Sequence, residues 1–140
     1  MGYTHYWDRP PSIDPVAYGH MITDAQRILA ACVAQGIAVA GWDGTGSLTC
    51  TPDELAFNGN REAGEHDETF RFDRESPDPF SCCKTGHRPY DLAVTAMLVA
   101  IKHHIPEVHV HSDGTSSDWD AARNLCQAVC GYGADFALDS

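Results

Sequence analysis

An apolar run over residues 89–103 dominates this sequence: it opens on Pro89, which suits the first position of a helix, and ends at His103. A helix this apolar has to be enclosed, so it is expected at the centre of whatever the chain builds. Two other helices are expected. Asp14 before Pro15 makes an N-cap and first-position pair, and Ile22, Ala25, Leu29 and Cys32 recur at helical spacing until Gly36. Trp119, Ala122, Cys126 and Val129 mark the apolar stripe of the other, entered through a capping box of Ser117 and Asp120. Strands are expected at residues 3–6, 37–40, 55–57, 68–72 and 108–111, with a last edge strand at 136–138. Residues 73–88 carry two prolines and no usable periodicity. The predicted order is strand, helix, three strands, helix, strand, helix. That order describes one α+β domain, residues 1–140, with a single mixed and mainly antiparallel sheet covered by about three helices.

A chain of 140 residues buries roughly two thirds of its unfolded surface, enough to fold without a metal or a disulfide. Nine Lys and Arg against twenty Asp and Glu leave a net charge of −11, which disfavours contact with nucleic acid and with anionic membranes. No stretch approaches the roughly 18 to 20 apolar residues of a membrane span, and the first residues lack the basic and apolar regions of a signal peptide. The expectation is a cytoplasmic protein whose six cysteines are reduced thiols.

Five pieces of the chain, Met1-Gly2-Tyr3-Thr4-His5-Tyr6-Trp7, Phe57-Asn58-Gly59, Glu68-Thr69-Phe70, Cys83-Lys84-Thr85 with Pro89-Tyr90-Asp91, and Ser112-Asp113-Gly114, resemble a group of small uncharacterised proteins from bacteria and phages. The resemblance spans nearly the whole chain and implies one domain; it carries over no activity and no catalytic residue. In this chain Asp67 separates His66 from Glu68, where the group has the His directly before the Glu.

Three patterns point to chemistry. Cys83-Lys84-Thr85-Gly86-His87-Arg88 leads into the expected start of the apolar helix, whose free N–H groups and dipole suit a phosphate or carboxylate. Lys84 and Arg88 would anchor the charge, with Thr85 beside them, Asn58 and Asp91 fixing orientation, and Tyr3, Tyr6, Trp7 or Tyr90 stacking on a ring. The same field would lower a thiol pKa, making Cys83 a candidate nucleophile with His66 or His87 as base; the alternative is that Cys83 packs in the core. Second, His66-Asp67-Glu68 and Cys82-Cys83 superficially match a zinc deaminase signature, but adjacent cysteines do not supply ligands one helical turn apart. Third, His109, His111 and Asp113 share one strand face and form a candidate site for a divalent metal, which His5, His66 or a cysteine would complete. Cys126 and Cys130 also sit four apart on a helix, where core packing is the simpler role.

The reading that best joins these features is a small intracellular protein that binds an anionic molecule, a nucleotide or metabolite, through the loop before the apolar helix. A cysteine- or metal-dependent enzyme and a homo-oligomeric assembly protein are the alternatives. No Walker loop, Rossmann glycine pattern or Gly-x-Ser-x-Gly elbow is present.

Overall fold

The apolar run does become the axis of the structure. In the computed structural model, which describes residues 2–139, it forms α2 (Asp91–His104), and every residue from Ala93 to Ile101 is buried. Each enclosed Leu, Ile, Val or Met of this helix contributes roughly 1.5 to 3 kcal/mol. Around it pack α1 (Pro15–Ala34) and α3 (Asp120–Cys130), and the buried residues of all three join one core. Asp14 caps α1 as expected, accepting the N–H groups of Val16 and Ala17 at 3.1 and 3.0 Å.

The fold is α+β, but its strands form two antiparallel sheets of three strands each rather than one sheet. The first is assembled from distant parts of the chain. β1 (Thr4–Asp8) is its centre, flanked by β5 (Phe80–Lys84) and β6 (His109–Ser112). The second is a meander of β2 (Thr49–Cys50), β3 (Leu55–Phe57) and β4 (Phe70–Arg71). Arg9 ties the two together: its buried guanidinium donates to the carbonyls of Asp73 and Arg74 and lies 4.6 Å over the Phe72 ring.

Four expectations need correction. Residues 37–40 form no strand and contribute only a bridge from Ala40 to Asn58, because the run connects α1 to the second sheet without a partner along its length. β5 lies inside the stretch without periodicity: of its five residues only Cys83 is buried, so no apolar alternation marks it. The capping box belongs to Thr115 and Asp118, two residues earlier than expected, and opens a 3₁₀ turn at Ser116–Trp119 that leads into α3. Residues 136–138 are not a strand, although Asp139 covers the free edge of β6 by exchanging two hydrogen bonds with Val110. Among the described residues no helix is long and apolar enough to cross a membrane, and all six cysteines are free thiols.

Candidate functional site

β1 alternates, and its inward residues are Tyr3, His5 and Trp7. Register sets His5 opposite Ser112 on one neighbouring strand and opposite Cys83 on the other, so all three side chains point to the side where α2 begins. His5 is fully buried, and both ring nitrogens are engaged. Nδ1 lies 2.8 Å from Ser112 Oγ, and Nε2 lies 2.7 Å from Asp91 Oδ1. Thr85, also fully buried, donates its hydroxyl to the same Asp91 oxygen at 2.5 Å. Asp91 is the first residue of α2, where the helix dipole favours its charge, and its side chain keeps 22 % of its surface open to solvent.

Aromatic rings close around His5. Trp119 meets it edge-on at 5.1 Å, and Tyr3 does so at 5.0 Å while stacking its own face on His87 at 3.6 Å. The Tyr3 hydroxyl lies against Gly114. Burial first, then the charges of Asp91 and Asp118, push this phenol up to about 12. Two loop residues have geometry that this arrangement requires. A Cβ on Gly114 would stand 2.3 Å from the Tyr3 hydroxyl, so only glycine fits. His87 has φ of 61°, the one positive value outside glycine among the described residues, and that strained backbone sets its ring over Tyr3.

Lys84 at the end of β5 and His87 and Arg88 in the loop from β5 to α2 are all exposed. Arg27, Arg71, Arg74, Lys102 and Arg123 each form an ion pair, whereas Lys84 and Arg88 form none among the described residues; Arg61, in another loop, is the same. Four of the nearby acids are occupied, whereas Asp67, whose carboxylate lies against Gly86 of the same loop, has no side-chain partner among the described residues. Asp91 takes His5 and Thr85, Asp113 accepts from the Thr4 N–H and Tyr6 hydroxyl, Asp118 accepts from Thr115, and Glu68 accepts the Lys84 N–H at 2.8 Å. Among the described residues the two cations are therefore unpaired, as is the carboxylate of Asp67.

Comparison with protein-family models, with curated proteins and with solved structures finds no match. The site must be read from its own geometry.

That geometry separates the residues that the sequence singled out. Thr85 and Asp91 meet at the start of α2, and Arg88 lies in the turn just before it, whereas Lys84 ends β5 opposite Thr4, with its side chain on the exposed face of the first sheet. Tyr90 is fully buried and donates to the Glu68 carbonyl at 2.6 Å, so its ring packs in the core and offers no stacking face. Asn58 is buried as well. Its amide donates to the carbonyls of Trp42 and Asp67 and accepts from the N–H groups of Gly59 and Asp67, which makes it a clamp between loops. Cys83 is fully buried with its thiol donating to the Glu68 carbonyl, and burial pushes the thiol far up. The lowered thiol expected from the helix dipole is thus overridden by desolvation, and neither His66 nor His87 is hydrogen-bonded to it among the described residues. On the outer face of the first sheet, His109 pairs with Asp8 at 3.0 Å, His111 lies opposite Tyr6, and Asp113 turns to Thr4 and Tyr6. No group of three or more His, Cys, Asp or Glu is placed to hold a metal ion among the described residues.

Sequence reasoning missed His5 as the partner of both Asp91 and Ser112. The available signal was the alternation Tyr3, His5, Trp7, which puts His5 on the core side of its strand, where a histidine must find partners. All five segments of the resemblance contribute to this end of the molecule, through Tyr3 and His5, Asn58, Glu68, Thr85 with Asp91, and Ser112.

Proposed function

We propose that this protein binds a small anionic molecule, a nucleotide or metabolite, at the loop between β5 and α2. The observation that carries the reading is the freedom of Lys84 and Arg88: in a chain of net charge −11, these two exposed cations, at the end of β5 and in the loop after it, form no ion pair among the described residues. The start of α2 adds the positive end of a helix dipole. The exposed ring of His87 and the open edge of Asp91 supply the adjoining polar surface, and Asn58, Thr85 and Tyr90 support it from behind. The reading includes a cytoplasmic location, with which six free thiols agree.

Calorimetric titration with inorganic phosphate and with adenosine monophosphate tests it. Charge-assisted hydrogen bonds contribute roughly 1.5 to 3 kcal/mol each, so a Lys84→Ala, Arg88→Ala double variant is expected to lose at least about a hundredfold in affinity while keeping its fold. Equal affinity in the double variant, or no binding by the native chain, removes the proposal.

A homo-oligomer is a second reading, favoured by one feature. Phe80 is 57 % exposed beside Tyr6 on the outer face of the first sheet, which no helix covers. Native mass spectrometry decides it, by a mass of one chain or of several.

A further inference from the structure

The ring of His5 holds a hydroxyl on one nitrogen and a carboxylate on the other. We propose that Ser112 is a nucleophile activated by His5 and Asp91, and that it transfers acyl groups from small carboxylic esters or thioesters to water. This goes beyond the binding reading and does not depend on it.

A serine nucleophile needs a base within hydrogen-bond reach, and the base needs a third group to fix its ring. Ser112 Oγ to His5 Nδ1 is 2.8 Å and His5 Nε2 to Asp91 Oδ1 is 2.7 Å. In this arrangement the Ser112 hydroxyl donates to Nδ1 and the Nε2 proton goes to the carboxylate. Asp91 cannot swing away, because the buried Thr85 hydroxyl holds the same oxygen. Trp119 and Tyr3 shut solvent away from the ring. Ser112, half-buried, ends β6 at a turn that leads through the 3₁₀ segment into α3. A turn from strand to helix is where a serine hydroxyl can be lifted to the rim of a sheet. The Gly114 N–H donates to Ser112 Oγ at 2.9 Å and fixes its rotamer.

The steps balance without any further reactant than water. Ser112 Oγ forms a bond to the carbonyl carbon, and its proton passes to His5 Nδ1. The negative charge on the former carbonyl oxygen is met by the Tyr3 hydroxyl, which lies against Gly114, two residues after Ser112, and keeps its proton near neutrality. The bond from carbon to the leaving oxygen or sulfur then breaks, and His5 returns the proton to that leaving group. Water attacks the acyl-serine with His5 again taking a proton, the carboxylic acid departs, and Ser112 is regenerated. Ser112, His5 and Tyr3 are the catalytic residues, and Asp91 and Thr85 position them.

A fluorophosphonate probe tests this without a known substrate, since it forms a phosphorus–oxygen bond with an activated serine and releases fluoride. The full chain is incubated with the probe at neutral pH, weighed intact and mapped by peptide. One adduct per chain, on Ser112, is expected. It should be absent in Ser112→Ala and form roughly a hundredfold or more slowly in Asp91→Asn, whose amide favours the proton on the wrong nitrogen. Circular dichroism of both variants confirms that they are folded, and hydrolysis of p-nitrophenyl acetate should fall in parallel. No adduct on the folded native chain, an adduct on another residue, or equal labelling of Ser112 in native protein and Asp91→Asn overturns the proposal. A purely structural Ser112 would lower the melting temperature of Ser112→Ala and leave the native chain unlabelled.

Discussion

α2 ends in a histidine–aspartate pair at both of its termini, and the two pairs are built for different purposes. At its start, Asp91 meets His5 at 2.7 Å; some 20 Å away by helical rise, His104 meets Asp24 at 2.8 Å. Both agree with the helix dipole, the acid standing at the N-terminus and the base at the C-terminus. Their surroundings differ. Asp24 also accepts the Tyr132 hydroxyl at 2.8 Å and faces Arg27, so one buried carboxylate ties α1, α2 and the chain after α3 together. All its neighbours hold the fold. The shallow cleft of about 230 Å³ near that end, lined by Val99, Lys102, His103, Asp135 and Phe136, has a cation already bonded to Pro106, Val108 and Asp139. At the start of α2 the histidine is buried instead, its second nitrogen holds a hydroxyl, the aspartate edge is open, and two cations beside it are free. The same pair of residue types makes a clasp at one end and, on our proposal, part of a ligand site at the other.

Breaking the clasp should have the largest effect on stability. Asp24→Ala leaves the His104 ring and the Tyr132 hydroxyl without their acceptor and is expected to cost about 3 kcal/mol, read as a lower midpoint in urea unfolding. Asp91→Asn should cost less, about 1 to 2 kcal/mol, because Thr85 and His5 keep a polar neighbour of the same size. If the second variant proves the more damaging, the division of roles is wrong. Acid should act on the clasp in a defined window. Burial pushes the Asp24 carboxyl up, but hydrogen bonds from His104 and Tyr132 outweigh it and hold the group below its ordinary value. A depressed folded value means that the stabilisation is complete above the ordinary carboxylate range and is lost as pH falls through the folded value. The stability gap between native protein and Tyr132→Phe should therefore be full near pH 7 and shrink below about pH 4. The smallest effect on stability belongs to Lys84→Ala and Arg88→Ala, each within about 0.5 kcal/mol of native by the same unfolding measurement, since neither side chain has a partner to lose.

The helices were legible where termini carry local chemistry, as at Asp14-Pro15, and where burial is continuous, as along α2. The strands were legible where at least one face is apolar, as in β3, whose three residues are all buried. β5 hides because four of its five residues are not buried, and residues 37–40 mislead because an apolar connection packed on the core has the same composition as a strand. Without β5 there is no first sheet, and the five expected strands collapse into one. The cations of the candidate site were visible as local charge in an acidic chain. Its centre was not: His5 lies 86 residues from Asp91 and 107 from Ser112, and only the two-sided pairing of β1 brings them together. Cys83 was left between a reactive thiol and a core residue because dipole and cations are legible along a chain, while desolvation requires knowing what lies above the thiol.

The claim that one end of α2 is a ligand site and the other a clasp can be tested in a single titration of ¹⁵N-labelled protein with inorganic phosphate and then adenosine monophosphate, followed by two-dimensional NMR. Shifts confined to residues 84–91, with Tyr3 and residues 112–114, and none at Asp24, His104 and Tyr132, are the expected result. Shifts gathered around His104 and Tyr132, or a spectrum unchanged at millimolar ligand, would contradict it.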